Sequence, residues 1–270
     1  MKIKLLAIFI LLSTVQVLLP CQAPLQCESF DLQIQAGVSP ITWTARQAFS
    51  VLNCVGFTDP IVNIFKMPNF RALFGIPFIV GAQVGYAYST NMRVYGECNY
   101  SQANQKNNTL FTSTNPLIIP AQNVHLSFKK YRLVDAYIGW RYYFDRICDD
   151  ISLFLGGKVG LVHHFSTQLT SLVVSAQGVP ATDLLPASPT VHLFNANTAI
   201  SGGFNIGIDW GFCDCWSFVV TGEVVANCGP KSNSNIVLAV ISPFTASHVL
   251  LGPIQTELRF PVTAGIRYTF

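Results

Sequence analysis

Apolar and polar residues alternate one by one along most of this chain. In the last thirteen positions Leu258, Phe260, Val262, Ala264, Ile266, Tyr268 and Phe270 are apolar. Those between them, Arg259, Pro261, Thr263, Gly265, Arg267 and Thr269, are mostly small or polar. A strand sends successive side chains to opposite faces, so this segment has one oily face and one wet face. The same period of two recurs over 30–38, 78–89, 92–99, 134–144, 151–161, 200–210 and 216–224. Eight strands are therefore predicted. Their connections alternate in length: 90–91, 145–150 and 213–215 are short, and 42–77, 101–123, 166–198 and 226–256 are long.

Three short and four long connections suit an all-β, eight-stranded antiparallel up-and-down barrel that crosses a membrane. A soluble β-sandwich also alternates, but its apolar faces turn inward, and it has no need of aromatic residues gathered at strand ends. Here Trp210, Phe212 and Trp216 flank one short turn, and Trp140, Tyr142 and Phe144 lead into another. The six read as an aromatic girdle at one membrane–water boundary. Lipid offers no hydrogen bonds to an open sheet edge, so the first strand is expected to pair with the eighth.

Composition strengthens this reading. The chain of 270 residues is 50% hydrophobic, yet only 11% of it is charged, about half the usual share for a soluble domain. Beyond the N-terminus no apolar run approaches the roughly 20 residues of a membrane helix. A net charge of +3 is too small to point to nucleic acid.

Most charges in the predicted strands fall on the inward parity. Asp31, Glu97, Asp135, Asp209, Glu223 and Glu257 are matched by Arg93, Arg141, Lys158, Arg259 and Arg267. Buried charges are tolerated when paired, so these residues are expected to form an ion-pair network that plugs the lumen. Inward glycines such as Gly81, Gly85, Gly156, Gly160, Gly203 and Gly207 leave a slim water path as the alternative.

At the N-terminus, Lys2 and Lys4 precede an apolar run to Leu19. This reads as a secretory signal peptide over 1–23, with the barrel domain over 24–270. The lipoprotein-like Leu18-Leu19-Pro20-Cys21 is disfavoured by Pro20. Eight cysteines fit an oxidising compartment. Cys54 and Cys228, in the first and last long connections, become neighbours when the barrel closes and are expected to bridge. Cys27, Cys148, Cys213 and Cys215 gather at the other end.

Candidate chemistry is sparse. His125 and Ser127 share a parity, but Gly139 stands where an acidic partner would be needed. His163 and His164 point to opposite faces of a strand and make no metal pair. No phosphate-binding glycine loop and no Cys-x-x-Cys pair is present. The sequence therefore predicts no enzyme, cofactor or metal. Lys130 and Arg132 lie outward, just beyond an apolar stretch, where lipid phosphates would meet them. The first long connection is oily (Phe49, Val51, Leu52, Phe65, Met67, Phe70, Leu73, Phe74), and is expected to fold over the barrel mouth, to form short helices, or to bind apolar ligands or host molecules.

Together, the leader, the alternation, the loop asymmetry and the Tyr268-Thr269-Phe270 ending resemble the small bacterial outer-membrane β-barrels: the OmpA-, OmpX-, OmpW- and opacity-like porin group. The resemblance covers about residues 28–270. It implies an outer-membrane location, periplasmic short turns and outer long loops. It also implies recognition of Tyr268 and Phe270 by the barrel assembly machinery. Expected partners are outer-membrane lipid and lipopolysaccharide, with host surfaces or other envelope proteins reached through loops or cysteines. Two functions follow from it: a structural and surface-interaction barrel, or a narrow channel for small or apolar solutes.

Overall fold

The computed structural model describes residues 28–45, 47–54, 61–66, 70–106, 109–113, 122–144, 150–176, 179–183, 192–232, 236–238, 244–250 and 254–270. The expected signal segment, Cys27 and Cys148 lie outside these residues.

Eight strands form the barrel: β1 (Ser29–Val38), β2 (Phe78–Ala87), β3 (Met92–Ala103), β4 (Tyr131–Tyr143), β5 (Ile151–His164), β6 (Asn197–Cys213), β7 (Trp216–Asn227) and β8 (Val262–Thr269). Each pairs antiparallel with the next, and β1 closes onto β8 from Asp31↔Thr269 to Val38↔Val262. Closure leaves no strand edge exposed to lipid.

The pleat sorts the residues as the alternation predicts. In β1, Ser29, Asp31, Gln33 and Gln35 are buried, whereas Phe30, Leu32, Ile34 and Ala36 are exposed. The exposed set includes Ile138 at 73%, Ile200 at 74% and Phe204 at 71%. The buried set includes Arg93, Arg141, Arg259 and Arg267, each at 1% or less. This is a soluble protein turned inside out, and it excludes the β-sandwich. The apolar outward row of β4 runs from Val134 to Phe144. Ten strand residues at about 3.3 Å each, tilted by roughly 40°, rise about 25 Å, the height of a barrel's lipid-facing band.

Two features depart from the sequence reading. The terminal strand is not continuous: Ile254–Arg259 and Val262–Thr269 are separate, with a break at Phe260–Pro261. Proline has no N–H for the ladder. The break is bridged by carbonyls, since Phe260 N–H donates to Pro40 O at 2.9 Å and Glu223 N–H donates to Pro261 O at 2.9 Å. The parity survives, and Ile254–Arg259 pairs with Ile41–Ala45, carrying the β1–β8 seam past the barrel.

The long connections also contain strands of their own. Gln122–Phe128 pairs with Thr167–Ala176 beyond the ends of β4 and β5. Gln47–Cys54 pairs with Phe244–Leu250 beyond the ends of β1 and β8. Adjacent barrel strands deliver their continuations side by side, so the backbones go on pairing where the hydrophobic alternation has stopped. The first connection also holds a helical turn, Phe70–Leu73.

Candidate functional site: the barrel lumen and its cover

The inward charges of the strands meet in the lumen in three groups. At the short-turn end, Arg93 of β3 reaches across to Asp31 of β1, with Nε donating to Oδ2 at 2.7 Å and Nη2 facing Oδ1. Its Nη1 donates to Gln83 Oε1 at 2.8 Å. Gly85 makes this reach feasible: a Cβ there would lie 2.2 Å from Arg93 Nε. Arg267 of β8 forms an ion pair with Asp209 of β6 and donates through Nη1 to Tyr143 Oη at 2.8 Å.

In the middle, Lys158 of β5 is pinned between two carboxylates. Its Nζ lies 2.5 Å from Glu223 Oε2 on β7 and 3.0 Å from Glu97 Oε1 on β3. Gln83 donates to the second oxygen of Glu97 at 2.9 Å, and Asn99 donates to Glu97 Oε1 and, at 2.9 Å, to Asp135. Neither β7 nor β3 neighbours β5, so these bonds cross the lumen.

Toward the long loops, Arg259 pairs with Asp135 at 2.5 Å and contacts Glu257 at 3.6 Å, and its Nη2 donates to Tyr137 Oη. Glu257 accepts from Tyr131 Oη at 2.8 Å, and the same hydroxyl lies 2.8 Å from His164 Nδ1. Asn227 Nδ2 is 3.2 Å from His164 Nε2.

All eleven charged residues named from the sequence lie in this lumen, and ten are in ion pairs. Arg141 is the exception. It is fully buried, and none of its side-chain nitrogens has a hydrogen-bond partner among the described residues. Its guanidinium lies between two rings, 4.7 Å from the centroid of Tyr95 and 4.4 Å from that of Phe154. A desolvated contact of this kind contributes about 2 kcal/mol.

The lumen also holds residues that the alternation does not single out as polar. Tyr143, Phe154 and Val219 form an apolar knot at the short-turn end. Tyr131, Tyr137, His164 and Asn227 complete the hydrogen-bonded network. Their inward parity is legible in the sequence, but their partners are not.

Above Tyr131 the lumen is covered. Phe70 and Phe74, at either end of the helical turn, are fully buried. Phe70 lies 5.1 Å from Tyr131, 5.1 Å from Phe74 and 5.0 Å from Trp43, and Trp43 is 5.6 Å from Phe194. Phe74 packs on Phe128 at 6.0 Å. Backbone bonds from Lys106 N–H to Leu73 O at 3.0 Å and from Gly75 N–H to Asn104 O at 2.8 Å tie the turn to the end of β3. The Phe70–Phe74 part of the oily first connection therefore folds over the mouth and holds a short helical turn, while the side chains of Phe49, Val51, Leu52, Phe65 and Met67 lie outside the described residues.

The outward aromatics fall where the alternation puts them. Trp140, Tyr142, Phe144, Trp210 and Phe212 are exposed, and Trp216 is half-buried against Tyr268 at 4.8 Å. Tyr268 in turn lies 5.2 Å from Phe270, and Phe270 N–H donates to Phe30 O at 2.8 Å. The cysteine expectation needs correction. Cys228 carries a free, exposed thiol, so the Cys54–Cys228 bridge is not formed. Cys228 follows the last residue of β7, whereas the Cys54 backbone is in register with Phe244 in a separate sheet. Cys98 and Cys213 are also free, while Cys215 is disulfide-bonded. His163 and His164 point to opposite faces, as expected, with His163 bonded to Thr198 Oγ1 at 2.8 Å. The side chains of His125 and Cys54 lie outside the described residues. Among the described residues no cluster of metal-ligating side chains occurs.

Closed strand pairing, an apolar exterior and a charged, filled interior define a transmembrane β-barrel. No family model matches the chain, and no curated protein matches it. Several solved structures are similar to it. Neisserial surface protein A is 11% identical, with 89% of this chain and 97% of that one covered and a TM-score of 0.40. The outer-membrane protease OmpT from Escherichia coli is 8% identical, with 90% and 97% covered and a TM-score of 0.42. The outer-membrane protein OprG from Pseudomonas aeruginosa is 12% identical, with 91% and 98% covered and a TM-score of 0.37. The fold assignment here rests on the chain's own strand pairing.

Proposed function

We propose that this chain is a bacterial outer-membrane barrel that works as a closed, rigid anchor and presents its long loops at the cell surface. The observation that carries the reading is the position of Lys158, held across the lumen at 2.5 Å from Glu223 and 3.0 Å from Glu97. An eight-stranded barrel is only wide enough for its own side chains. A cation fixed to two opposite walls leaves the axis occupied, and the Phe70–Phe74 cover closes the mouth above it. The short turns then face the periplasm and the loop sheets face outward. Tyr268 and Phe270 are the residues through which the barrel assembly machinery would recognise the chain. No catalytic role, cofactor or metal enters this reading, and contacts with host or envelope proteins are assigned to the loops.

Planar-bilayer conductance of the purified, folded protein tests it. The wild type is expected to show no steady open level. Stable unitary currents would instead make the chain a narrow channel.

A further inference from the structure

The exposed charges sort by end. Among the described residues, Glu28, Asp150 and Asp214 are exposed at the short-turn end, with no exposed base beside them. At the loop end Arg71, Lys106, Lys129, Lys130 and Arg132 are exposed, with no exposed acid among the side chains described there. No carboxylate whose side chain is described pairs with any of these five bases; among the described residues the ion pairs all lie in the lumen.

Three of the bases are adjacent. Lys129 and Lys130 join Gln122–Phe128 to β4, and Lys129 N–H is fixed by Gln168 O at 2.8 Å. Arg132 is the last outward residue of β4 before the apolar row begins at Val134. Its guanidinium lies 5.3 Å from the centroid of the Phe165 ring, which is itself edge-on to His163 at 5.1 Å. Stacking fixes the guanidinium plane while its N–H groups stay free for an oxyanion, a use for which arginine is better shaped than lysine. Arg132 and Lys130, which shares its parity, thus stand where hydrocarbon gives way to headgroups, with Lys129 exposed beside them.

We infer that Lys129, Lys130 and Arg132 form a binding site for the phosphate groups of a lipid headgroup in the leaflet next to the loops. The inference rests on the proposed orientation, with the long loops outward. Position favours a lipid over a soluble polyanion: Arg132 directly abuts the apolar row, so a bound phosphate would have its acyl chains against Val134, Ala136 and Leu161. Ala136 and Leu161 are directly paired in register, which makes that surface continuous. Arg71 and Lys106 lie higher, on the cover, and are not part of the site.

The test uses the folded full chain in neutral-detergent micelles, titrated with diphosphorylated lipid A. Each cation near an anionic surface contributes roughly a fivefold gain in binding. The triple variant Lys129→Gln, Lys130→Gln, Arg132→Gln is therefore expected to bind about a hundredfold more weakly. Lipid A stripped of its phosphates is expected to bind wild type and variant alike. Equal affinity of wild type and variant for the phosphorylated lipid overturns the inference. So does a loss confined to a soluble sulfated polysaccharide, which would make a polyanion the occupant. The three cations lie outside the lumen, so conductance reports separately on the closed-lumen reading. Side-specific labelling of Cys228 reports separately on orientation.

Discussion

Lys158 Nζ donates to Glu223 Oε2 at 2.5 Å, although the strands that carry them, β5 and β7, are separated by β6. The bond therefore spans the barrel instead of following its wall. Glu97, on the opposite side, takes a second bond from the same ammonium at 3.0 Å. One lysine thus neutralises two carboxylates that would otherwise repel each other in a narrow, poorly hydrated space.

Removing that lysine alone should be costly. Lys158→Met leaves Glu97 and Glu223 buried without their cation, and breaking a buried ion pair from one side costs about 3–5 kcal/mol. Urea unfolding of the protein in lipid vesicles, followed by tryptophan fluorescence, is expected to show a loss of this order. Adding Glu97→Gln and Glu223→Gln to the same variant removes the uncompensated charge and is expected to restore most of the loss. A triple variant as unstable as Lys158→Met would mean that shape, not charge, holds the lumen together.

The lipid-facing assignment predicts a different penalty. Ile138 is 73% exposed near the middle of the apolar row on β4. Ile138→Arg would put a cation at mid-bilayer and is expected to destabilise the folded barrel by about 2–4 kcal/mol. Arg132→Ile, at the edge of the same row, should cost close to nothing. Equal penalties at the two positions would contradict the depth assigned to them.

The thiols report which surfaces water reaches, and from which side. A membrane-impermeant maleimide added to intact cells is expected to label Cys228, at the loop end, as judged by peptide mass spectrometry. Cys98 is exposed but lies on the outward face of β3, in register with Ala82 and Ala136, and should resist the reagent because lipid covers it. Cys213, the last residue of β6 before the turn into β7, should react only after the membrane is opened. Labelling of Cys213 in intact cells, with Cys228 spared, would reverse the orientation.

The terminal aromatics form one cluster, with Tyr268 tilted against Trp216 at 4.8 Å and edge-on to Phe270 at 5.2 Å. Phe270→Ser removes its outer member and the proposed assembly contact. Outer-membrane levels of the variant, measured by fractionation, are expected to fall severalfold. Unchanged levels would separate the cluster from assembly.

Much of this was readable in the chain. The period of two places Phe30, Val84, Ile138 and Ile206 on one face and Asp31, Gln83, Tyr137 and Asn205 on the other, because pleating is a local property of each strand. The turns at 90–91 and 213–215 and the outward parity of Trp140, Tyr142, Phe144, Trp210 and Phe212 followed in the same way. Pro261 could be seen to weaken the last strand, but not that Pro40 O would bridge the break, since Pro40 lies at the far end of the sequence.

The order of residues alone requires that a closed wall form, and dictates which side chains it turns inward, because alternation and backbone hydrogen bonding leave no other arrangement that lipid tolerates. Which acid meets which base was settled by the closed three-dimensional fold. It paired Lys158 with both Glu97 and Glu223, left Arg141 between Tyr95 and Phe154, and set Phe70 and Phe74 over Tyr131. Those contacts depend on strand stagger and barrel diameter, which are fixed when all eight strands close together and are written in no single segment.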